Sequence, residues 1–299
     1  MENLILSSGY GYPPAYLRTF LKSISRNMKS ADVVLFYHDT SKEVVSRLRE
    51  YLERVQLVKP RDHVVRRAIS ILPRGKSLTT QLIHRLALIL SNEPYSSLLF
   101  SSGYGAHLAR YFWAVDYCER VDIGQYTKVM LCDSRDVVVQ SDVFDKVDDV
   151  RFVTGAEEKR IGECHFNQAE IYDYYGPDIL RMLSDQVIVC SGVSLGSRKF
   201  VLEYLRAMTQ EVRRINKPAS EGYDQSIHNY LVRTNALNFP VRITRSADGI
   251  IATLGYYDSD KIVVDAEDSV SVENGITPSI LHQYDRLQNL SEHFARIYR

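Results

Sequence analysis

Short apolar runs and longer amphipathic segments alternate along the first half of the chain. Residues 3–8 form a β-like run, and 15–28 repeat their apolar residues every three to four positions, as in a helix with one buried face. The pattern predicts further strands at 32–37, 56–58 and 128–132 and further helices at 41–54, 77–91 and 106–120. Strands that alternate with helices of this length indicate βαβ units. We therefore expect an α/β fold with a mainly parallel sheet and helices on both faces.

The second half of the chain is less regular. We predict a strand at 151–155, a Tyr- and Asp-rich loop at 165–175, and two short strands within 185–196 that break around Cys190-Ser191-Gly192. Helices follow at 198–214 and 221–232, short β segments at 241–244, 250–254 and 261–264, and a last helix that runs to Arg299. These short β segments predict a smaller mixed β region in the second half of the chain. Because the 15 Gly and 9 Pro are spread thinly, we see no linker and expect one domain over 1–299.

Charge and composition exclude several classes of protein. The 37 Lys and Arg balance the 37 Asp and Glu, so the net charge argues against a nucleic-acid coat or a polybasic membrane binder. No apolar run approaches the roughly 20 residues of a spanning helix, and the N-terminus has no basic segment of a signal peptide. We therefore expect a cytoplasmic protein without a transmembrane anchor. The 4 widely spaced cysteines contain no C-x-x-C pair, which predicts reduced core thiols.

Polar residues follow three of the predicted strands, at 7–12, 37–39 and 133–136. Parallel sheets bind their ligands beyond the carboxyl ends of the strands, so these residues are the first candidates for chemistry. Asp133 and Asp136 come directly after a buried strand and precede another apolar run. Two such acids either bind a hard divalent cation or cap a turn. The apolar surroundings favour the cation, since uncompensated charge is costly there.

The segment Lys-Val-Met-Leu-Cys-Asp-Ser-Arg-Asp-Val-Val-Val-Gln-Ser-Asp-Val-Phe, at 128–144, resembles the metal-binding segment of GT-A fold glycosyltransferases. In that family an apolar strand leads into a D-x-D-type motif. Asp136 matches the last acid of the motif, but Ser134 occupies its first position and the additional acid, Asp133, lies one place earlier. The resemblance implies Mn²⁺ (or Mg²⁺) that bridges the diphosphate of a nucleotide sugar. Asp136 would bind this cation, with help from Asp133 and from His282 near the C-terminus.

Two more segments carry the resemblance. Val189-Cys190-Ser191-Gly192-Val193 looks like the family's N-S-G-V-type turn, where Gly192 would let the backbone approach the donor sugar. Asp224-Gln225 resembles the helix start found by the anomeric carbon in the retaining branch, which implies a catalytic role for both residues and retention of configuration. Taken alone, Gly192 fits an ordinary hairpin glycine equally well, whereas Asp224 and His282 fit a helix cap and a structural histidine better.

The resemblance also implies which residues contact the donor. The residues that would bind the nucleotide sugar are Ser7, Ser8, Gly9, Tyr10, Tyr37, Arg110, Asp133, Ser134 and Gly192. Tyr10 is the best stacking candidate. Arg110 would face the donor, although a surface position on its helix is the plain alternative. Arg286 could pair with phosphate or with Asp285. The nucleotide-binding half would span 1–145, and the acceptor-binding half 146–299.

The sequence thus predicts a divalent-metal-dependent glycosyltransferase that transfers a sugar, most simply from a UDP-sugar, to a glycan or other hydroxyl acceptor. Its partners would be the donor and the acceptor, with no nucleic acid. One alternative is a P-loop-like phosphotransferase, suggested by Gly75-Lys76-Ser77, although Ser70 stands where that loop needs glycine. Another is a non-catalytic nucleotide-sugar-binding homologue. If the enzyme inverted configuration, its base would be Asp224, Asp185 or Glu221.

Overall fold

The structure is a computed structural model that describes residues 2–70, 83, 87, 95–215 and 223–299. Its strands are β1 (Glu2–Ser8), β2 (Ala31–Phe36), β3 (Val55–Val58), β4 (Tyr126–Asp133), β5 (Val137–Val139), β6 (Phe152–Arg160), β7 (Val187–Ser197), β8 (Val241–Thr244), β9 (Ile251–Thr253), β10 (Val263–Val264), β11 (Val270–Ser271) and β12 (Ile280–His282). Its α-helices are α1 (Arg18–Asn27), α2 (Lys42–Tyr51), α3 (His63–Ser70), α4 (Tyr95–Gly103), α5 (Ala106–Arg120), α6 (His165–Leu183), α7 (Arg198–Ile215), α8 (Tyr223–Arg233) and α9 (Gln288–Ile297).

The main sheet of the described residues has seven strands in the order β3-β2-β1-β4-β7-β6-β8. Strands β1 to β4 pair in parallel, and so do β6 and β8, whereas β7 runs antiparallel to both of its neighbours. A smaller mixed sheet has β12 between β5 and β9, antiparallel to β5 and parallel to β9. The architecture is therefore the expected α/β fold, with a large mostly parallel sheet flanked by helices and a smaller mixed region.

Apolar side chains fill both faces of the main sheet. In β1, Leu4 and Leu6 enter one core cluster and Ile5 enters another, because successive side chains on a strand point to opposite faces. The first cluster packs against α5 and α7, and the second against α1. Burial on both faces explains why these strands are almost continuously apolar. All four cysteines are free thiols, as predicted.

The predicted loop at 165–175 is wrong, because these residues belong to α6. The Tyr and Asp residues that suggested a loop lie on a helix whose Ile171 is fully buried. Tyr175 stacks on Tyr230 of α8, with ring centroids 3.9 Å apart. The helix is interrupted after that, at Gly176, where φ is +83° and Pro177 follows. Gly-Pro therefore marks a kink between two helical segments, and the residues before it are helical.

The predicted pair of short strands within 185–196 is also wrong, because β7 is one strand from Val187 to Ser197. Its pairing with β6 shifts register between Thr154 and Gly155, whose partners are Ser194 and Cys190. The Ser-Gly segment is thus accommodated by an irregularity within a continuous strand.

The P-loop candidate at 75–77 and most of the predicted helix at 77–91 fall on residues outside those described. None of the described helices combines the length and apolarity required to span a bilayer.

Candidate active site

The carboxyl ends of β1 and β4 meet at one edge of the main sheet. Ser8, the last residue of β1, is the register partner of Asp133, the last residue of β4. The chain then turns into β5, which begins just after Asp136 and pairs with β12, so that His282 lies opposite Val137. A backbone hydrogen bond from Gln283 to the carbonyl of Asp136 (2.8 Å) fixes this register. Strand pairing therefore brings residues nearly 150 positions apart to the same edge.

Asp133, Asp136 and His282 form a cluster with the ligand types of a metal site, and one candidate ligand atom from each lies within 4.8 Å of the others. His282 Nε2 lies 3.4 Å from Asp133 Oδ2 and 3.7 Å from Asp136 Oδ1. Although this nitrogen is buried, it makes no hydrogen bond within the described residues. A buried imidazole nitrogen that makes no hydrogen bond and lies within ion-pair distance of two carboxylates fits a divalent cation that accepts both oxygen and nitrogen ligands.

The charges in this cluster are strongly coupled. Burial alone would raise the pKa of Asp133, but Arg110 and His282 outweigh it and hold that pKa well below its usual range. Burial raises the pKa of Asp136, and the negative charge of Asp133 adds to this rise. Burial disfavours the imidazolium of His282, yet the adjacent Cys190 and Asp136 outweigh that cost and raise its pKa well above the usual value. A divalent cation would therefore displace a proton from His282 when it binds.

Gly192 makes room for this cluster. A Cβ atom at this position would lie 2.1 Å from Cε1 of His282 and 2.8 Å from Oδ2 of Asp133. No side chain fits at such distances, so the close approach that we expected toward the donor sugar is first of all an approach to the candidate metal ligands.

Arg110 of α5 lies at the centre of a buried ion network and not on the helix surface. Its guanidinium pairs with Asp133 and, at 3.0 Å, with Asp224. Oδ2 of Asp224 also accepts hydrogen bonds from Ser191 (3.0 Å) and from Tyr111 (3.4 Å). The charge of Asp224 is thus compensated within the protein. Gln225, its neighbour on the first turn of α8, is half-buried and lines the cleft described next.

The cluster opens into two adjoining compartments. The smaller, of about 220 Å³, contains Ser8, Tyr10 and Ser134 in its wall. The larger, of about 610 Å³, reaches Gly192, Asp224, Gln225 and His282. Both compartments are lined by Tyr12, His107, Arg110, Asp133 and Arg135. The candidate metal ligand Asp133 therefore lies where the two spaces meet.

Three predicted donor-binding residues lie behind this wall. Ser7 is 1% exposed, and its hydroxyl donates to the carbonyl of Cys132 (2.8 Å), which ties β1 to β4. The Tyr37 ring is buried, and its hydroxyl donates to the carbonyl of Tyr12. Gly9 backs onto Leu17, whose Cδ1 would lie 2.8 Å from an added Cβ. Ser7 and Tyr37 thus support the wall through their side chains and do not line it.

Neither of the other two residues predicted as a possible catalytic base is among the described residues that line the cleft. The side chain of Asp185 is 95% exposed and lies 4.0 Å from Arg160, away from the cleft. Glu221 is outside the described residues. Arg286 lines the larger compartment, whereas Asp285 pairs with Arg135 at 2.9 Å.

The sequence reasoning missed several residues of the larger compartment. These are His107, Phe166, Asn167, Glu170, Cys190 and Gln283. His107 precedes Arg110 by three positions on α5, so helical spacing could have identified it. The residues of α6 were hidden because their segment was predicted to be a loop.

No protein-family model and no curated protein sequence matches the chain. Solved structures do. The galactosyltransferase LgtC, in complex with donor and acceptor sugar analogues, matches with a TM-score of 0.53 and 15% identity over 98% of this chain and 95% of LgtC. The apo glycosyltransferase GlyE of Streptococcus pneumoniae TIGR4 matches with a TM-score of 0.52 and 16% identity, over 100% of this chain and 62% of GlyE. These likenesses show that the chain has the GT-A glycosyltransferase fold.

Proposed function

We propose that this protein is a glycosyltransferase that moves a sugar from a nucleoside-diphosphate sugar, most simply a UDP-sugar, to a hydroxyl group of a glycan or other acceptor. One observation carries the proposal: the cluster of Asp133, Asp136 and His282 at the carboxyl edge of the sheet, whose buried imidazole nitrogen makes no hydrogen bond within the described residues. The likeness to LgtC and GlyE, both glycosyltransferases, supports it.

The three clustered side chains would hold a divalent cation, which would neutralise the negative charge on the leaving diphosphate. We propose Mn²⁺ over Mg²⁺, because Mg²⁺ prefers oxygen ligands and the set includes an imidazole. Arg135 and Arg286 line the larger compartment and add positive charge near the same place. Tyr10 and Ser8 in the smaller compartment would contact the nucleoside.

Transfer breaks the bond between the anomeric carbon and the phosphate oxygen, and the electron pair of that bond stays on the phosphate. The acceptor oxygen bonds to the anomeric carbon, and its proton goes to the departing phosphate oxygen. We favour this retaining course because Asp224 already accepts hydrogen bonds from Arg110 and Ser191, which makes its carboxylate a poor base. Gln225 would be the polar group beneath the anomeric carbon.

A donor screen tests the proposal. UDP-, GDP- and dTDP-sugars are incubated with Mn²⁺, and release of the nucleoside diphosphate is measured for the native protein, for Asp136→Ala and for Asp145→Ala. Asp145 is an exposed acid outside the cleft and serves as the matched control. We expect turnover of one donor, its loss with EDTA, and at least about 100-fold weaker Mn²⁺-dependent UDP binding by Asp136→Ala alone.

Two outcomes would contradict this expectation in different ways. If Asp136→Ala binds UDP and Mn²⁺ as tightly as the native protein, the metal assignment is wrong. If the native protein binds a donor with Mn²⁺ but turns over none of the donors, even with added acceptors, it is a non-catalytic binding homologue.

A further inference from the structure

One wall of the larger compartment is built by the first two turns of α6. Phe166, Asn167 and Glu170 all line this compartment. Phe166 and Glu170 are four residues apart, so they lie on the same face of the helix. Among the described residues that line the smaller compartment, none belongs to α6. This α6 wall is therefore separate from the residues expected to bind the nucleoside.

Phe166 presents an open aromatic surface in this wall. The residue is 75% exposed, and its ring meets His165 only edge-on, with centroids 6.3 Å apart and planes at 85°. An exposed ring forgoes the free energy that burial would give it. An aromatic side chain beside a few polar groups in a concave site is the usual composition of a ligand pocket.

Glu170 supplies the charged group of the α6 wall. It accepts a hydrogen bond from the hydroxyl of Ser226 on α8 and makes no ion pair within the described part of the chain. A carboxylate has room for about four hydrogen bonds, so Glu170 can accept from a ligand as well. Burial raises the pKa of Glu170, and the nearby charge of Asp224 adds to the rise. Asp224, by contrast, already accepts from Arg110, Ser191 and Tyr111.

We propose that the α6 wall is the acceptor subsite and that the acceptor is a pyranoside sugar. The apolar face of the sugar ring stacks on Phe166, since its C–H groups are attracted to the negative face of the aromatic ring. A hydroxyl beside the attacking one donates a hydrogen bond to Glu170, which orients the acceptor oxygen toward the anomeric carbon and leaves the proton of the attacking hydroxyl to pass to the departing phosphate oxygen. The inference rests on the proposed transferase function and adds the class of its acceptor.

The test measures transfer from the donor identified in the screen to p-nitrophenyl β-glucoside, β-galactoside and N-acetyl-β-glucosaminide, and to serine- and tyrosine-containing peptides. We expect the pyranosides to be used and the peptides not. Phe166→Ala should raise the acceptor KM about tenfold, and Phe166→Trp should restore it, because tryptophan offers a larger stacking face. Glu170→Gln should lower kcat about tenfold or more. Tyr172→Ala, on the same helix but outside the cleft, is the matched control.

The outcomes separate this inference from the proposed function. An acceptor KM for Phe166→Ala equal to that of Tyr172→Ala would overturn the stacking role, and use of peptides in place of pyranosides would overturn the acceptor class. In both cases the transferase function would stand. If the native protein binds no donor with Mn²⁺, the proposed function fails and the subsite fails with it.

Discussion

Two walls of the larger compartment differ in how their charges are arranged. On the strand side, Asp133 and Arg110 line the compartment and belong, together with the neighbouring Asp136, to a buried network in which each charge already faces an opposite one. On the α6 side, Phe166 is exposed, and within the described residues the Ser226 hydroxyl is the one group that donates to the Glu170 carboxylate. The strand side is fixed before any substrate binds, whereas the α6 side still has unused hydrogen-bonding capacity and open apolar surface.

This difference matches two separate tasks of a transferase. Stabilising a leaving diphosphate requires charges that are held in place, because fixed dipoles and ions need not reorganise during the reaction. Choosing an acceptor requires surface that a ligand can cover, and loss of water from that surface supplies part of the affinity. We infer that the strand side governs the chemical step and that the α6 side governs acceptor choice.

The largest expected effect comes from removing the centre of the strand-side network. Arg110→Leu would leave Asp133 and Asp224 without their shared cation, and unpaired buried charge typically costs about 3–5 kcal/mol. Urea unfolding at neutral pH measures this loss. Arg206→Leu is the control, because Arg206 and Glu119 form an ion pair with both side chains 53% exposed, and such a pair contributes at most about 1 kcal/mol. If both variants lose the same free energy of unfolding, the Arg110 network is not held together by buried ion pairs and this interpretation is wrong.

The strand side could be predicted from the sequence because its positions follow simple rules. A buried strand that ends in acids, such as β4 with Asp133, predicts chemistry at the carboxyl edge of a parallel sheet. The alternation of strands and helices likewise predicted the main sheet. The link from Asp136 to His282 came only from family resemblance, since a single sequence does not specify which distant strands will pair.

The α6 side could not be predicted, for a local reason. Gly176-Pro177 and the Tyr- and Asp-rich composition are typical of loops, yet tertiary packing of Tyr175 on Tyr230 and burial of Ile171 favour a helix here. Once the segment was predicted to be a loop, no periodicity placed Phe166 and Glu170 on one face. The same limit applies to Arg110, since its burial depends on acids 23 and 114 residues away.

The second largest expected effect concerns Gln225 and tests whether the strand side or the α6 side acts in the chemical step. Gln225→Ala should lower kcat by about 100-fold and change donor KM little, because its contact would matter mainly in the transition state. With an α-linked donor, NMR should show an α-linked product. A β-linked product would contradict retention. It would also alter the comparison of the two walls, because Glu170 of the α6 wall would then be the leading base in place of the ion-paired Asp224.

The smallest effect concerns what holds the α6 wall in place. The Tyr175 ring stacks on Tyr230 with planes 13° apart, and its hydroxyl contacts Glu211 at 3.2 Å. Tyr175→Leu should cost about 1 kcal/mol of unfolding free energy, as measured in urea, because the stacked pair is lost. Tyr175→Phe keeps the ring and removes only the hydroxyl, so the difference between the two variants isolates the stack. If α6 positions the acceptor, Tyr175→Leu should also raise the acceptor KM several-fold and leave Mn²⁺-dependent UDP binding unchanged, since the strand-side network does not include Tyr175. If Tyr175→Leu weakens Mn²⁺-dependent UDP binding as well as acceptor binding, a change in the α6 wall also alters the strand side, and the two walls do not have separate roles.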